Sequence, residues 1–248
     1  MAIGVGMHVQ DPGDDSMNLA MSEAGRPLYN AVKSFITVEV EPLTEEFFHL
    51  GANRADRWSW AAGQLELLDS LKSKARQQGL WNFFLPDDQT GQGLSNLDYA
   101  YIAAELGRSR LASESLNCSA PDTGNMEVLE RVGTQEQKEQ WLEPLLNGEI
   151  RSCFGMTEPG LASSDAKNIA TQAVLDGDEW VINGEKYYIS GAGDPRCKVM
   201  ICMVQTSPDG PPHRRQSQIL IPMDTPGVNI LGPMQVFGQD DAPHGHMH

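Results

Sequence analysis

Residues 171–190 read TQAVLDGDEWVINGEKYYIS. Two dipeptides punctuate this stretch: Asp176-Gly177 separates 171–175 from 179–182, and Asn183-Gly184 separates the latter from 186–190. Glycine reaches the positive φ that tight hairpin turns need, and β-branched and aromatic residues flank both dipeptides. The spacing therefore predicts two successive hairpins. Further strands are expected at 198–205 and 217–222, joined by the Pro- and Gly-rich loop 207–215. From about residue 149 onwards the chain reads as an antiparallel β domain.

Upstream the period changes. Leu28, Val32, Phe35 and Ile36, continued by Val40, Leu43 and Phe47, recur at helical spacing. A second helix is expected over about 58–78, with Leu65, Leu68, Leu71 and Ala75 on one face and Gly79 as its stop. Residues 80–93 read as a loop with large apolar anchors and a Pro-Asp-Asp turn. Ser95 and Asp98 stand at N-cap spacing before Tyr99, Ile102, Ala103 and Leu106. Thr134 and Gln137 form a capping-box pair before Trp141, Leu142, Leu145 and Leu146, and Gly148 closes that helix. Residues 118–125 (CSAPDTGN) read as a helix opening capped by Asp122 or Thr123. The expected organisation is an acidic flexible tail at 1–25, an all-helical domain at 26–148 and the β domain at 149–248, an α+β chain. Residues 241–248 (DAPHGHMH) read as a strand that begins without closing, so a β domain that stops mid-strand and a fragment of a longer protein are expected.

Composition excludes several function classes. The 248 residues are 40% hydrophobic and 21% charged, as a folded chain is. Lys plus Arg number 18 against 34 Asp plus Glu, a net charge of -16, whose field repels nucleic acid. Residues 1–25 hold no Lys or Arg and four acids, Asp11, Asp14, Asp15 and Glu23, unlike a transit peptide or secretory signal, so a cytoplasmic location is expected. No apolar run approaches the roughly 18 residues of a membrane span. Cys118, Cys153, Cys197 and Cys202 form no C-x-x-C, which argues against structural zinc and a disulfide framework and fits a reducing compartment. His244, His246 and His248 alternate, but no second ligand cluster accompanies them; a solvated or partner-facing strand is expected, with no metal site. The Gly-x-Gly steps at Gly4, Gly91 and Gly191 neither follow a strand nor open a helix, so no dinucleotide fingerprint is complete. Ser163, Ser164 and Asp165 lack the elbow and neighbouring His of a serine hydrolase.

Two segments carry chemistry. Residues 153–165, CFGMTEPGLASSD, run from a strand through a Thr-Glu-Pro-Gly turn into a small-residue loop. Its backbone N–H groups and hydroxyls suit a polar, anionic ligand. Residues 180–193, WVINGEKYYISGAG, place an aromatic and then a hydroxyl on one strand, which suits a cofactor wall; taken singly, each segment reads equally as an ordinary turn or an ordinary β core. Phe154, Met156, Thr157, Glu158, Pro159, Ser164 and Asp165, followed by Asn183, Gly184, Lys186, Tyr188, Ile189 and Ser190, form a pattern that resembles the signature of the acyl-CoA dehydrogenase family. The loop, one residue longer at Ser163-Ser164, is similar to that of the subgroup whose eukaryotic members can carry a kinase-like region in front.

The resemblance implies a helical domain, a middle β barrel and a C-terminal four-helix bundle. It also implies FAD as cofactor and oxidation of an acyl-CoA thioester to the trans-2-enoyl-CoA, a step of fatty acid β-oxidation. Carried over by position, Phe154 and Met156 line the isoalloxazine, and Thr157 bonds its pyrimidine end. Ser163 and Ser164 meet the FAD pyrophosphate and the pantetheine side of the substrate. Tyr188 stacks on the ring where Trp is commoner, Ile189 follows it, and Ser190 reaches N5 where Thr is commoner. Glu158 is structural in the family, and the catalytic Glu is expected beyond His248. Electrons pass to an electron-transferring flavoprotein or, in related oxidases, to oxygen; a homodimer or homotetramer is expected. A non-catalytic acyl-CoA-binding or partner-binding module is the alternative for the chain alone.

Overall fold

The computed structural model describes residues 19–54, 59–87, 90–234 and the backbone of 246–247. The sequence expectations for 1–18, for Trp58 and for His244, His246 and His248 lie outside the described residues or side chains.

The helical layer begins with α1 (Arg26–Phe35) and α2 (Glu41–Gly51), joined through a π-helical turn at Ile36–Val40. The sequence stripe is continuous through all three, with Val32, Phe35, Ile36, Val40 and Phe47 buried. The π turn has a cause in Pro42. Proline has no N–H to return to the carbonyl four residues back, and the helix widens just before it, with the Glu41 N–H bonding the Ile36 carbonyl. The same device recurs at Lys138–Leu142, between α7 (Gln135–Gln137) and α8 (Glu143–Leu146), ahead of Pro144.

α3 (Gln64–Gln77) starts later than expected. Gly63 sits at φ +90, outside helical space, while its N–H donates to Glu66 Oε2 at 3.1 Å and Gln64 Oε1 accepts from the Ala61 N–H at 2.9 Å. These bonds satisfy donors that a helix start leaves open. α4 (Asn96–Leu106) is capped by Ser95, whose Oγ accepts from the Asp98 N–H at 3.1 Å. Asp98 in turn accepts from the Ser22 N–H (2.8 Å) and Ser22 Oγ (2.9 Å), so residues 19–25, expected as tail, are fixed to α4. α5 (Ala112–Ser115) and α6 (Asp122–Val132) complete the layer. The expected capping by Asp122 or Thr123 is not what forms: α6 opens at Pro121 without a side-chain cap, because Asp122 is spent across the domain boundary, accepting from Ser152 N (2.7 Å) and Ser152 Oγ (2.6 Å). At the far end of α8, Trp81 Nε1 (2.8 Å) and Asn82 Nδ2 (2.9 Å) donate to the Leu146 carbonyl, and Asn117 Nδ2 (2.9 Å) to that of Leu145. Side chains thus close the last turn, and Gly148, at φ +62, leaves it.

The β layer is a curled mixed sheet. β1 (Arg151–Gly155), β2 (Gln172–Asp176), β3 (Glu179–Asn183), β5 (Cys197–Gln205) and β6 (Gln216–Pro222) form one sheet in the order β1-β5-β2-β3, with β6 on β5. β4 (Ile189–Ser190), β7 (Pro233–Met234) and β8 (His246–Met247) form a small second one, in the order β4-β8-β7. The hairpin at Asp176-Gly177 forms, with Asp176 opposite Glu179 and Gly177 at φ +63. The second expected hairpin does not. Residues 184–188 leave β3 without returning along it, and a Cβ at Gly184 would stand 2.2 Å from Thr171 Oγ1, so this glycine serves a close approach. The sheet is also not purely antiparallel. β1 pairs with β5 in parallel over Arg151–Gly155, and β2 meets β5 in parallel at Gln172 and Gln205. Parallel neighbours need a long crossover, which short-range turn signals do not reveal.

Candidate functional site

The two signature segments meet edge to edge. The Tyr187 N–H donates to the Thr157 carbonyl at 3.0 Å, and Thr157 Oγ1 donates back to the Tyr187 carbonyl at 2.5 Å. Lys186 Nζ then reaches under the turn, bonding the Met156 carbonyl at 3.0 Å and Glu158 Oε1 at 2.7 Å. Glu158 is almost fully buried and also accepts from the N–H groups of Ala170 (2.8 Å) and Thr171 (2.9 Å). Burial opposes its charge, yet the bonds from Lys186, Thr171 and Ala170 outweigh it and hold the carboxyl below the usual range. Both oxygens are committed to the chain, so the group acts as a tie. Ser163 is equally occupied: its Oγ accepts from the Glu158 N–H at 2.7 Å and folds the loop back on itself. Ser164 stands on the exposed rim.

The wall above this turn is unusual. Tyr188 adopts φ +57, a left-handed conformation that a bulky residue rarely takes, and its side chain remains 43% exposed. Its ring centroid lies 4.7 Å from that of Tyr187, edge to face, and its N–H donates to Met234 Sδ at 3.2 Å. Such strain persists where surrounding structure fixes it and clusters at ligand sites. Phe154 and Met156 are half-buried beside it. Ile189 turns inward, packed with Cys153, Ala192 and Cys197, so only its backbone is offered to the wall. Ser190 lines a cavity of about 500 Å³ between the helical and β layers, together with Phe47, Phe48, Trp60, Pro121 and Ser152.

Sequence reasoning missed what holds this floor in place. Glu114 of α5 accepts from Arg196 Nη1 at 2.6 Å and pairs with Lys72 Nζ at 3.3 Å and Arg151 Nη1 at 3.4 Å. Arg151 also pairs with Asp122 at 2.6 Å, and Arg196 with Asp194 at 2.7 Å, while the Arg196 guanidinium lies 4.7 Å from the Trp60 ring. Burial opposes the charge on Arg196, and Glu114 and Asp194 outweigh it; burial pulls Lys72 below the usual ammonium range despite Glu114. This network bolts α3, α5 and α6 to β1 and to the residues just after Ser190. Partners separated by as many as 82 positions leave no local signal. Among the described residues, no group of His, Cys, Asp and Glu could hold a metal ion, and no helix is long and apolar enough to cross a membrane.

A helical layer packs against a curled mixed sheet, with an exposed aromatic wall beside a Thr-Glu-Pro turn. The chain belongs to the acyl-CoA dehydrogenase family: residues 22–149 match the family's N-terminal domain and 153–248 its middle domain. The family is one of FAD-dependent oxidoreductases. The chain is 50% identical over 210 residues to the probable acyl-CoA dehydrogenase FadE2 of Mycobacterium tuberculosis, covering 82% of this chain and 50% of that protein. It is 49% identical over 231 residues to acyl-CoA dehydrogenase family member 10 of Mus musculus, covering 91% of this chain and 21% of that one. The structure of a putative acyl-CoA dehydrogenase from Mycobacterium abscessus superposes with a TM-score of 0.84 at 49% identity, over 92% of this chain and 57% of the other. The chain thus spans half or less of these curated relatives' length.

Proposed function

We propose that the whole protein is an FAD-dependent acyl-CoA dehydrogenase that removes one hydrogen from each of the α and β carbons of an acyl-CoA thioester, leaving the trans-2-enoyl-CoA. The observation that carries this reading is the Tyr188 wall, exposed at φ +57 and zipped through Tyr187 to Thr157.

The residues fit a flat, polar-edged ring system. Tyr188 supplies an aromatic face on which such a ring stacks. Phe154, Met156 and Ile189 contribute backbone along its edge. Thr157 Oγ1 already donates to Tyr187, so toward the pyrimidine end it acts as an acceptor. Ser190 brings a hydroxyl from the cavity side. Ser163 shapes the turn, and Ser164 is the hydroxyl presented to the pyrophosphate and the pantetheine. FAD, when bound there, supplies the two-electron acceptor. Glu158 takes no proton, since Lys186 and two backbone N–H groups occupy it; we place the α-proton acceptor outside the described residues. The reduced protein passes its electrons to an electron-transferring flavoprotein or another acceptor, and works as a homo-oligomer in fatty acid oxidation. The test is anaerobic mixing of the flavin-loaded whole protein with acyl-CoA thioesters. Bleaching of the flavin and a product lighter by two hydrogens support the reading; a bound flavin that no acyl-CoA reduces refutes it.

A further inference from the structure

Lys186 and Glu158 form an ion pair beneath the Thr-Glu-Pro turn, Nζ to Oε1 at 2.7 Å, with side chains only 9% and 4% exposed. The carboxylate also accepts from the Ala170 and Thr171 N–H groups, which fixes the turn to the chain entering β2. The same ammonium donates to the Met156 carbonyl at 3.0 Å. Next along the chain, the Tyr187 N–H donates to the Thr157 carbonyl at 3.0 Å, and Tyr188 follows as the exposed wall. Lys186 thus sets the register in which the two signature segments meet, 186 on 156 and 187 on 157.

A tie does not require charge. A buried ion pair replaced by a neutral, well-packed pair of similar volume often loses nothing in stability, because the cost of desolvating both ions offsets their attraction. Here the hydrogen bonds keep Glu158 in its charged form despite burial. The chain therefore holds a negative charge directly under the segment that carries Thr157. Among the described residues, Lys186 is the one cation paired with it: Lys167 pairs with Asp165, and Arg151 and Arg196 belong to the Glu114 network.

Neutrality at this point matters to a flavin, whose electronics follow the charges set around its ring. A hydride delivers two electrons and one proton, so the ring that accepts it gains one negative charge. In a medium of effective dielectric near 20, one unit charge roughly 10–15 Å from another changes an equilibrium about tenfold. A bare Glu158 would oppose the reduction, and a bare Lys186 would favour it.

We propose that Lys186 is a positioning residue for the flavin: it registers the 156–158 turn against 187–188 and cancels the Glu158 charge, so that the bound ring accepts a hydride without a buried carboxylate opposing it. The inference rests on the FAD reading above and adds to it the electrostatic setting of the site.

The test is redox titration of the flavin-loaded whole protein against a reference dye, at one pH near neutrality. The forms compared are wild type, Lys186→Met, Glu158→Gln and Lys186→Met/Glu158→Gln. Lys186→Met, left with the anion, is expected to be reduced about tenfold less favourably, about 30 mV lower for a two-electron couple. Glu158→Gln, left with the cation, is expected to shift about as far upward. The double variant is expected to stand within about threefold of wild type, since both charges are gone together. Opposite signs are what a purely structural tie does not produce, because loss of either partner loosens the same turn. Shifts of the same sign, a single variant that fails to shift, or a double variant as displaced as the singles overturns the inference while leaving the FAD reading intact. If Lys186→Met does not retain flavin, the upward shift of Glu158→Gln and its cancellation in the double variant decide between the same outcomes. A wild type that holds no flavin refutes the FAD reading itself, and the inference with it.

Discussion

Replacing Glu114 by Gln removes the carboxylate shared by three cations, the buried Lys72 and Arg151 and the half-buried Arg196. Arg151 and Arg196 keep second partners, Asp122 at 2.6 Å and Asp194 at 2.7 Å. Lys72 keeps only Asp69, 3.9 Å away and largely exposed, so the uncompensated charge falls on it. Breaking a buried pair from one side costs about 3–5 kcal/mol. The lower end, about 3 kcal/mol, is expected here because two of the three cations stay paired. For a chain of this size each kcal/mol moves Tm by about 2–4 °C, so a fall of roughly 6–12 °C follows. Adding Lys72→Met removes the stranded charge and should return at least about 1 kcal/mol, a coupling that a double-mutant cycle reads. The sign with pH is fixed. Burial lowers the folded pKa of Lys72 below its unfolded value of about 10.4, so the unfolded chain holds more protons there. The deficit of Glu114→Gln therefore shrinks as pH rises towards that value. Urea unfolding at several pH values measures all of this. A loss under about 1 kcal/mol with no rescue by Lys72→Met would show that the network does not bear on the fold as argued.

Other outcomes follow from the same geometry. Tyr188→Asn relieves the φ +57 strain and should raise stability by about 1 kcal/mol while weakening flavin binding, read by unfolding and FAD titration side by side. Gly184→Ala drives a Cβ to 2.2 Å from Thr171 Oγ1, so Tm falls, and Thr171→Ala restores part of it because it removes the colliding hydroxyl. Thr157→Val deletes the bond to the Tyr187 carbonyl and should cost about 1–3 kcal/mol. Glu158 has a folded pKa below its unfolded value, so its contribution is present above about pH 4.3 and is lost as pH falls through the folded pKa. In Glu158→Gln this component of the acid sensitivity should vanish.

What the sequence disclosed follows the range of its signals. Caps and tight turns act within four residues, and Ser95, the Thr134–Gln137 pair, Gly79, Gly148 and Asp176-Gly177 all stand where they were expected. The residue pattern 154–165 with 183–190 disclosed the family, and the fold brings those segments together. Asn183-Gly184 misled because its glycine answers a through-space contact with Thr171 and makes no hairpin turn. The parallel β1–β5 pairing and the Glu114 network depend on partners tens of residues apart, and local chemistry does not encode them. The π turns were legible in retrospect, since Glu-Pro at 41–42 and again at 143–144 marks both.

The claim at the centre is that residues 154–164 and 188–190 form one flavin wall. Flavin absorbance per polypeptide, measured on the purified whole protein as wild type, Tyr188→Phe, Tyr188→Ala and Ser190→Ala, tests it most directly. The account predicts one FAD per chain in wild type and Tyr188→Phe, and FAD binding weakened roughly 5- to 150-fold in the two alanine variants, each having lost a stacking face or a hydroxyl worth about 1–3 kcal/mol. A wild type that binds no FAD, or alanine variants that retain it undiminished, would contradict it.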